Sequence, residues 1–131
     1  NAPNPDDYVI LPDLISKEPL GPMLRRGDDE LYAIARWVLF ATLEAEEKGV
    51  TSANVDDMLT SVDPTVQRLL GVSGEMGSSI LGIDDAWAYN ILSELGNYGE
   101  MYERNISPLG LPRGLNALWT EGGIQYAPPV R

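Results

Sequence analysis

Ile15-Ser16-Lys17-Glu18-Pro19-Leu20-Gly21-Pro22-Met23-Leu24-Arg25-Arg26-Gly27-Asp28-Asp29 is the stretch on which the fold of this chain turns. Pro19 and Pro22 each remove a backbone donor, so the segment from about Leu20 to Arg25 reads as an edge or connecting strand and not a central one. At Asp28 the pattern changes. Asp28 offers an N-cap, Asp29 and Glu30 put negative charge in a first helical turn, and Lys48 followed by Gly49 closes the helix. In between, Leu31, Ile34, Val38, Ala41 and Ala45 recur on one face, and Trp37 and Phe40 widen that face toward a second neighbour. The helix is therefore expected to be mostly buried. At about 1.5–3 kcal/mol per fully buried large apolar side chain, a charge at Trp37 or Leu39 should threaten the fold.

Working outward from this stretch, Asn1-Ala2-Pro3-Asn4-Pro5-Asp6-Asp7 reads as an irregular loop that has been cut into, with room for a signal peptide lost upstream. Tyr8-Val9-Ile10-Leu11, closed by Pro12, is a β-branched and aromatic run suited to a buried strand. Downstream, Thr51 to Leu59 reads as a short capped helix, and Asp63-Pro64 opens another that stops at Gly71. Val72 to Gly82, rich in Gly and Ser, reads as a loop. Asp84 is expected to cap a helix whose stripe is Ala88, Ile91, Leu92 and Leu95, ending at Gly96, with Asn97 capping the turn after it. Pro108 and Pro112 bracket a break before Leu115 to Trp119, and Gly122-Gly123 and Pro128-Pro129 make an extended tail. No internal repeat or low-complexity segment occurs.

Composition narrows the chemistry. Twenty acidic against nine basic residues give a net charge of −11 over 131 residues, a field that repels nucleic acid and anionic membranes, and Arg25-Arg26 is the only close basic grouping. There is no cysteine and no histidine. Disulfide frameworks, thiolate nucleophiles, histidine triads and ordinary zinc sites are therefore excluded. No apolar run approaches the roughly 20 residues that span a bilayer, so the chain is not expected to be membrane-embedded.

Three carboxylate pairs, Asp28-Asp29, Asp56-Asp57 and Asp84-Asp85, invite a glycosidase or cation-binding reading. Each stands where a helix is expected to begin, so capping is the better explanation, and none has the ligand order of a calcium loop. Glu44, Glu46 and Glu47 read as a solvated helix face. Ser16-Lys17 is the only close serine–lysine pair, but adjacent residues of an extended segment point to opposite sides. Gly71 to Gly77 lacks the Gly-Lys-Ser/Thr ending of a phosphate loop. Trp37 and Trp87 have apolar helical partners and read as core, whereas Trp119 and Tyr126 are placed to pin the tail.

The stretch from Ile15 to Asp29 resembles the second interlobe crossover of periplasmic amino-acid-binding proteins. Gly96-Asn97-Tyr98-Gly99-Glu100, Gly114-Leu115-Asn116-Ala117-Leu118-Trp119 and the ending from Gly122 to Arg131 resemble one branch, the substrate-binding proteins of general (polar) L-amino-acid ABC transporters. The insertion Thr51-Ser52-Ala53-Asn54-Val55-Asp56 and Ala127-Pro128-Pro129-Val130-Arg131 make the match specific to that branch. Such proteins are much longer, so the chain looks like a C-terminal segment only.

The resemblance implies an α/β parent fold of two lobes, class II-like, with this segment mostly α and carrying a few short strands. Residues 1–18 would end the second lobe, 19–26 form the interlobe hinge strand, and 27–131 supply the C-terminal helical part of the first lobe with its extended tail. Ser16, Lys17, Glu18, Pro19, Leu20, Gly21 and Arg25 would lie at or beside the hinge and cleft. The family's arginine and aspartate clamps for the ligand fall in preceding segments, so no ligand-binding role passes to Arg25 or Asp28. No catalytic residue, metal or cofactor is implied. The implied function is capture of a polar L-amino acid by hinge closure in the periplasm, for delivery to an ABC transporter permease. This segment alone is expected to bind poorly, its partner being the remaining N-terminal part or a copy of itself. The alternative is a stand-alone helical interaction or oligomerisation module derived from such a protein.

Overall fold

The computed structural model describes residues 3–9, 11–13, 15–16 and 20–130. They form six α-helices, α1 (Asp29–Glu47), α2 (Val55–Met58), α3 (Pro64–Leu69), α4 (Ser78–Leu81), α5 (Trp87–Leu95) and α6 (Tyr98–Asn105), with one short 3-10 turn before α1 and three after α6. α1 begins as its sequence dictates. The Asp28 carboxylate accepts the Leu31 N–H at 3.1 Å, satisfying one of the free donors of the first turn.

Burial along α1 is not uniform. Residues Ala41 to Ala45 are buried, whereas Ala33, Ile34, Trp37, Val38, Leu39 and Phe40 are only half-buried and Leu31 and Tyr32 are exposed. The expectation of a mostly buried helix thus holds for one end alone. α3, α5 and α6 all pack on α1. Ala41 and Ala45 let neighbours approach closely there, and they join Val50, Val55, Val66, Leu69, Leu70, Ala88, Leu92 and Val130 in one apolar cluster. Trp37 and Trp87 pack against its edge.

Polar groups fix the helices around that cluster. Lys48 at the end of α1 donates to Asp63 at 3.1 Å, and Asp63 caps α3 by accepting the Thr65 N–H at 2.7 Å. Asn97 and Glu100 form a reciprocal capping box at the start of α6. The same Asn97 is buried and donates to the Val50 carbonyl at 2.8 Å, which ties α6 to the segment after α1. Gly71 can only be glycine. Its φ is +72°, and a Cβ would stand 2.5 Å from the Asp85 carbonyl oxygen.

Several local expectations are corrected. The one β-pairing among the described residues is a single parallel bridge between Leu118 and Gln125. Tyr8, Val9, Leu11 and residues 20–26 therefore form no ladder, so the few short strands expected at the two ends are absent as strands; Ile10 and Pro19 lie outside the described residues. β-propensity specifies a strand only where a neighbouring strand accepts and donates its backbone bonds. The Gly/Ser-rich loop contains the short helix α4. Asn54 stands at the N-cap of α2 but turns its side chain to Thr51 N–H and the Gly49 carbonyl, closing the preceding turn instead. Asp84 accepts the Ala86 N–H at 2.7 Å, and α5 starts two residues later than a direct cap would place it. Leu92 of its stripe is fully buried, but Leu95 is 50% exposed.

Candidate functional site

Ser16, Leu20, Gly21 and Arg25, the described members of the expected hinge group, are exposed, and Lys17, Glu18 and Pro19 lie outside the described residues. Leu20 is 96% exposed. Arg25 and Arg26 then turn through Gly27, at φ +83°, toward Asp28, Asp29 and Glu30, around an open concavity of about 390 Å³. Both signs of charge meet there. Asp28 is already committed to its cap, and Arg25, Arg26, Asp29 and Glu30 are exposed, so the concavity is a solvated surface and not an enclosed site.

An apolar groove of about 300 Å³ lies on the half-buried end of α1. Ile34, Trp37 and Val38 form one wall, Leu81 and Ile83 face them, and Val130 and Trp87 contribute to its lining. The facing segment is held by its own bonds. The Met76 N–H donates to Asp85 at 3.0 Å and the Trp87 indole N–H donates to the Met76 carbonyl at 3.1 Å. Trp37 meets Phe40 edge to face at 5.6 Å. Glu75 is the only charged residue on the lining, so the groove suits apolar groups and has no acid–base pair for chemistry.

The acidic run on α1, expected to face solvent, receives the tail. Glu44 is buried and accepts the Val130 N–H at 2.9 Å, while Arg68 donates to the Val130 carbonyl at 3.1 Å. Burial raises the Glu44 pKa above its ordinary value, against the lowering effects of the Val130 N–H and Lys48. Glu46 takes a two-pronged contact from Arg113, at 2.7 and 3.2 Å. The guanidinium also lies over the rings of Tyr98 and Tyr102 and donates to the Asn116 carbonyl. Hydrogen bonding to Glu46 raises the Arg113 pKa further. Glu47 accepts from the Trp119 indole at 3.2 Å, and Trp119 meets Tyr126 edge to face, so these two aromatics do pin the tail.

None of these three tail contacts was legible from local pattern, since the partners are 86, 67 and 72 residues apart. The same holds for Glu100, whose carboxylate also accepts from the Ser52 N–H and hydroxyl, 48 residues away. The other carboxylate pairs serve the fold. Asp56 accepts from the Tyr89 hydroxyl at 2.7 Å, and Asp84 and Asp85 bond to the backbone as described. Among the described residues no group of three or more His, Cys, Asp or Glu side chains gathers to hold a metal, and no helix is long and apolar enough to cross a membrane.

No protein-family model matches the chain. Individual proteins do. It is 53% identical over 133 residues to the general L-amino acid-binding periplasmic protein AapJ of Rhizobium johnstonii, covering 98% of this chain and 39% of that protein. It is 50% identical, with the same coverage, to the glutamate/glutamine/aspartate/asparagine-binding protein BztA of Rhodobacter capsulatus. A solved ABC transporter periplasmic binding protein from Brucella ovis, with glutathione bound, shares 50% identity and superposes with a TM-score of 0.91 over 98% of this chain and 41% of its own. The chain spans about two-fifths of the length of the relatives it matches. By sequence and fold together, this chain is homologous over nearly its whole length to a segment of the amino-acid ABC transporter-binding proteins.

Proposed function

We propose that this chain works as part of the solute-binding component of an amino-acid ABC transporter, one that captures a polar L-amino acid between two lobes by hinge closure. The observation that carries the reading is the level of identity, over nearly all of this chain, to proteins named for binding general L-amino acids and glutamate, glutamine, aspartate and asparagine. The Brucella ovis relative with glutathione supports the same ligand chemistry, because the γ-linked glutamate of glutathione keeps a free α-amino and α-carboxylate group. Residues 1–18 end one lobe, residues 19–26 act as the crossover, and residues 27–131 complete the other lobe. The run from Leu20 to Arg25, exposed except at Leu24 and broken by Pro22, fits a connection that absorbs dihedral change while packed bodies stay rigid. The site of action is the periplasm, the binding role is non-enzymatic, and the receiving partner is the transporter's permease.

The charged clamps for the amino acid come from outside this segment, so the chain alone binds amino acids weakly. Calorimetry tests both halves of this statement. The isolated chain should give no measurable heat with millimolar glutamate, glutamine, aspartate or asparagine, whereas a protein in which this chain completes the rest of AapJ should bind at least one of them at micromolar concentration. Micromolar binding by the isolated chain would place the clamps here after all. A folded, completed protein that binds none of the four would overturn the transport reading. A second reading, a helical interaction or oligomerisation module, is favoured by the half-exposed apolar end of α1.

A further inference from the structure

We infer that Trp119 and Tyr126, with the carboxylates of Glu47 and Glu121, form a receptor for an arginine side chain of a second protein. Such a receptor does not depend on the transport reading. Leu118, buried, pairs with half-buried Gln125, and the residues flanking that bridge, Trp119, Ile124 and Tyr126, are exposed. The Ile124 N–H donates to the Leu115 carbonyl at 3.0 Å, which sets Leu115 beside them. All four of Leu115, Trp119, Ile124 and Tyr126 are more than half exposed, an apolar surface turned to water. Trp119 donates its indole N–H to Glu47 at 3.2 Å and meets Tyr126 edge to face at 6.0 Å. Pinning the tail accounts for that N–H and for one ring contact, but not for the ring faces that meet solvent. Glu47 and Glu121, the last residue of the 3-10 turn Trp119–Glu121, are exposed as well.

The molecule itself shows what such a set of groups holds. Arg113 sits between the Glu46 carboxylate, at 2.7 and 3.2 Å, and the rings of Tyr98 and Tyr102, at 5.5 and 5.3 Å. Glu47, the next residue of α1, repeats that composition at the surface together with Trp119 and Tyr126: one carboxylate and two aromatic rings in contact. Among the described residues no cation lies over either ring. A guanidinium matches best, because its plane stacks on an aromatic face while its N–H groups reach a carboxylate, and it gives up water more readily than an ammonium. A free cation would cover the rings and leave Leu115 and Ile124 in water. A polypeptide segment with an arginine flanked by apolar residues covers both, so the occupant is a protein. The net charge of −11 draws a basic partner and repels a second copy of this chain.

The probe is the capped peptide acetyl-Leu-Arg-Leu-amide, titrated into the 131-residue chain while the Trp119 indole N–H is followed by NMR; Trp119→Phe assigns that signal among the three tryptophans. The peptide should move it at millimolar concentration and leave the Trp37 and Trp87 signals in place. Replacing its arginine by citrulline, which keeps the shape and loses the charge, should weaken binding about threefold or more, as should Glu47→Gln in the chain. That variant keeps an oxygen to accept the Trp119 indole N–H, so the fold is retained, and Tyr126→Leu, which keeps an apolar cover, should weaken binding by a similar factor. Free L-arginine should bind about threefold or more weakly than the peptide. Equal binding of the arginine and citrulline peptides, or a Trp119 signal that the arginine peptide does not move, would overturn the inference. Free L-arginine binding as tightly as the peptide would give the site to a small molecule, and a dimer of the chain that Tyr126→Leu abolishes would give it to a second copy; either result would overturn the assignment. The chain joined to the part of AapJ outside the matched stretch should bind the peptide equally well, and loss of binding there would show that the rest of that fold covers the patch, with the same consequence.

Discussion

Leu92 and Leu95 lie on the same stripe of α5, one turn apart, and truncating each in turn tests the packing register of the helix. Leu→Ala removes three carbons, about 0.8 kcal/mol each when fully withdrawn from water, or roughly 2.4 kcal/mol. Leu92 is 0% exposed and sits in the cluster with Ala41, Ala45 and Leu69, so it loses all of that. The surrounding helices are tied by Asn97 and by the Lys48–Asp63 pair and collapse only partly, which adds a cavity contribution of about 1 kcal/mol. Leu92→Ala should therefore cost about 3–4 kcal/mol. Leu95 is 50% exposed, keeps half its transfer term and leaves no closed cavity, so Leu95→Ala should cost about 1 kcal/mol. In thermal melts followed by circular dichroism these correspond to drops of about 10–15 °C and about 3–5 °C. Urea titration at constant slope checks that stability and not compactness has changed. Equal losses, or a larger loss at Leu95, would show that α5 presents a different face and refute the packing described.

Arg113→Lys should lower stability by about 1–3 kcal/mol, because an ammonium cannot grip both Glu46 oxygens, reach the Asn116 carbonyl and lie over two tyrosine rings together; an unchanged melt would mean these contacts are incidental. Gly123→Ala should cost a similar amount, about 1–3 kcal/mol, because its Cβ would run into the Ala117 carbonyl; the Trp119 and Gln125 amides at the β-bridge should then exchange faster, and unaltered rates would argue against so tight a turn. Stability should also bend with pH in two opposite senses. Burial raises the Glu44 pKa above its ordinary 4.5, so its contribution is full below that value and is lost as pH rises through the raised pKa; Glu44→Gln should remove that loss and melt no lower than wild type at pH 7. The Thr65 N–H and Lys48 lower the Asp63 pKa; for Glu100, burial pushes up but Ser52 and the Asn97 N–H together bring it down. Both contribute above their ordinary values of 3.8 and 4.5 and are lost as pH falls through the lowered ones, so melts below about pH 4 should drop less in Glu100→Gln; an acid limb of unchanged steepness would remove Glu100 from the account.

Features of the fold confined to one or two turns could be read from the sequence. Asp28, Asp63 and Asn97 cap the helices they were expected to cap, because a cap is decided by residues within three positions of each other. Strands and the exposed end of α1 could not be read this way. Tyr8 to Leu11 has the composition of a strand, but a ladder needs a second strand, and none is paired with it among the described residues. The apolar period of α1 runs on past Phe40 toward its start, and period alone does not say whether a neighbour belongs to the same chain. At the candidate hinge, proline spacing pointed to an edge or connecting strand, but residues 20–26 pair with no neighbour among the described residues, and the hinge role rests on the resemblance alone. The groove had no signature, being assembled from α1, the segment from the loop before α4 to the start of α5, and the tail.

The two ends of α1 are finished by different physics. At its C-terminal end, Glu44, Glu46, Glu47 and Lys48 each bind a partner distant in sequence, so that a run with the look of a solvated face is where the tail and α3 are fastened. Directional contacts of this kind, with Glu44, Glu46 and Lys48 partly withdrawn from water and Glu47 exposed, fix geometry and resist exchange of one partner for another. The N-terminal end offers the opposite, an apolar face whose adhesion is non-directional and proportional to the area covered. The C-terminal end thus holds the tail in one place, whereas the N-terminal end leaves Leu31 and Tyr32 exposed and Ile34, Trp37 and Val38 half-buried.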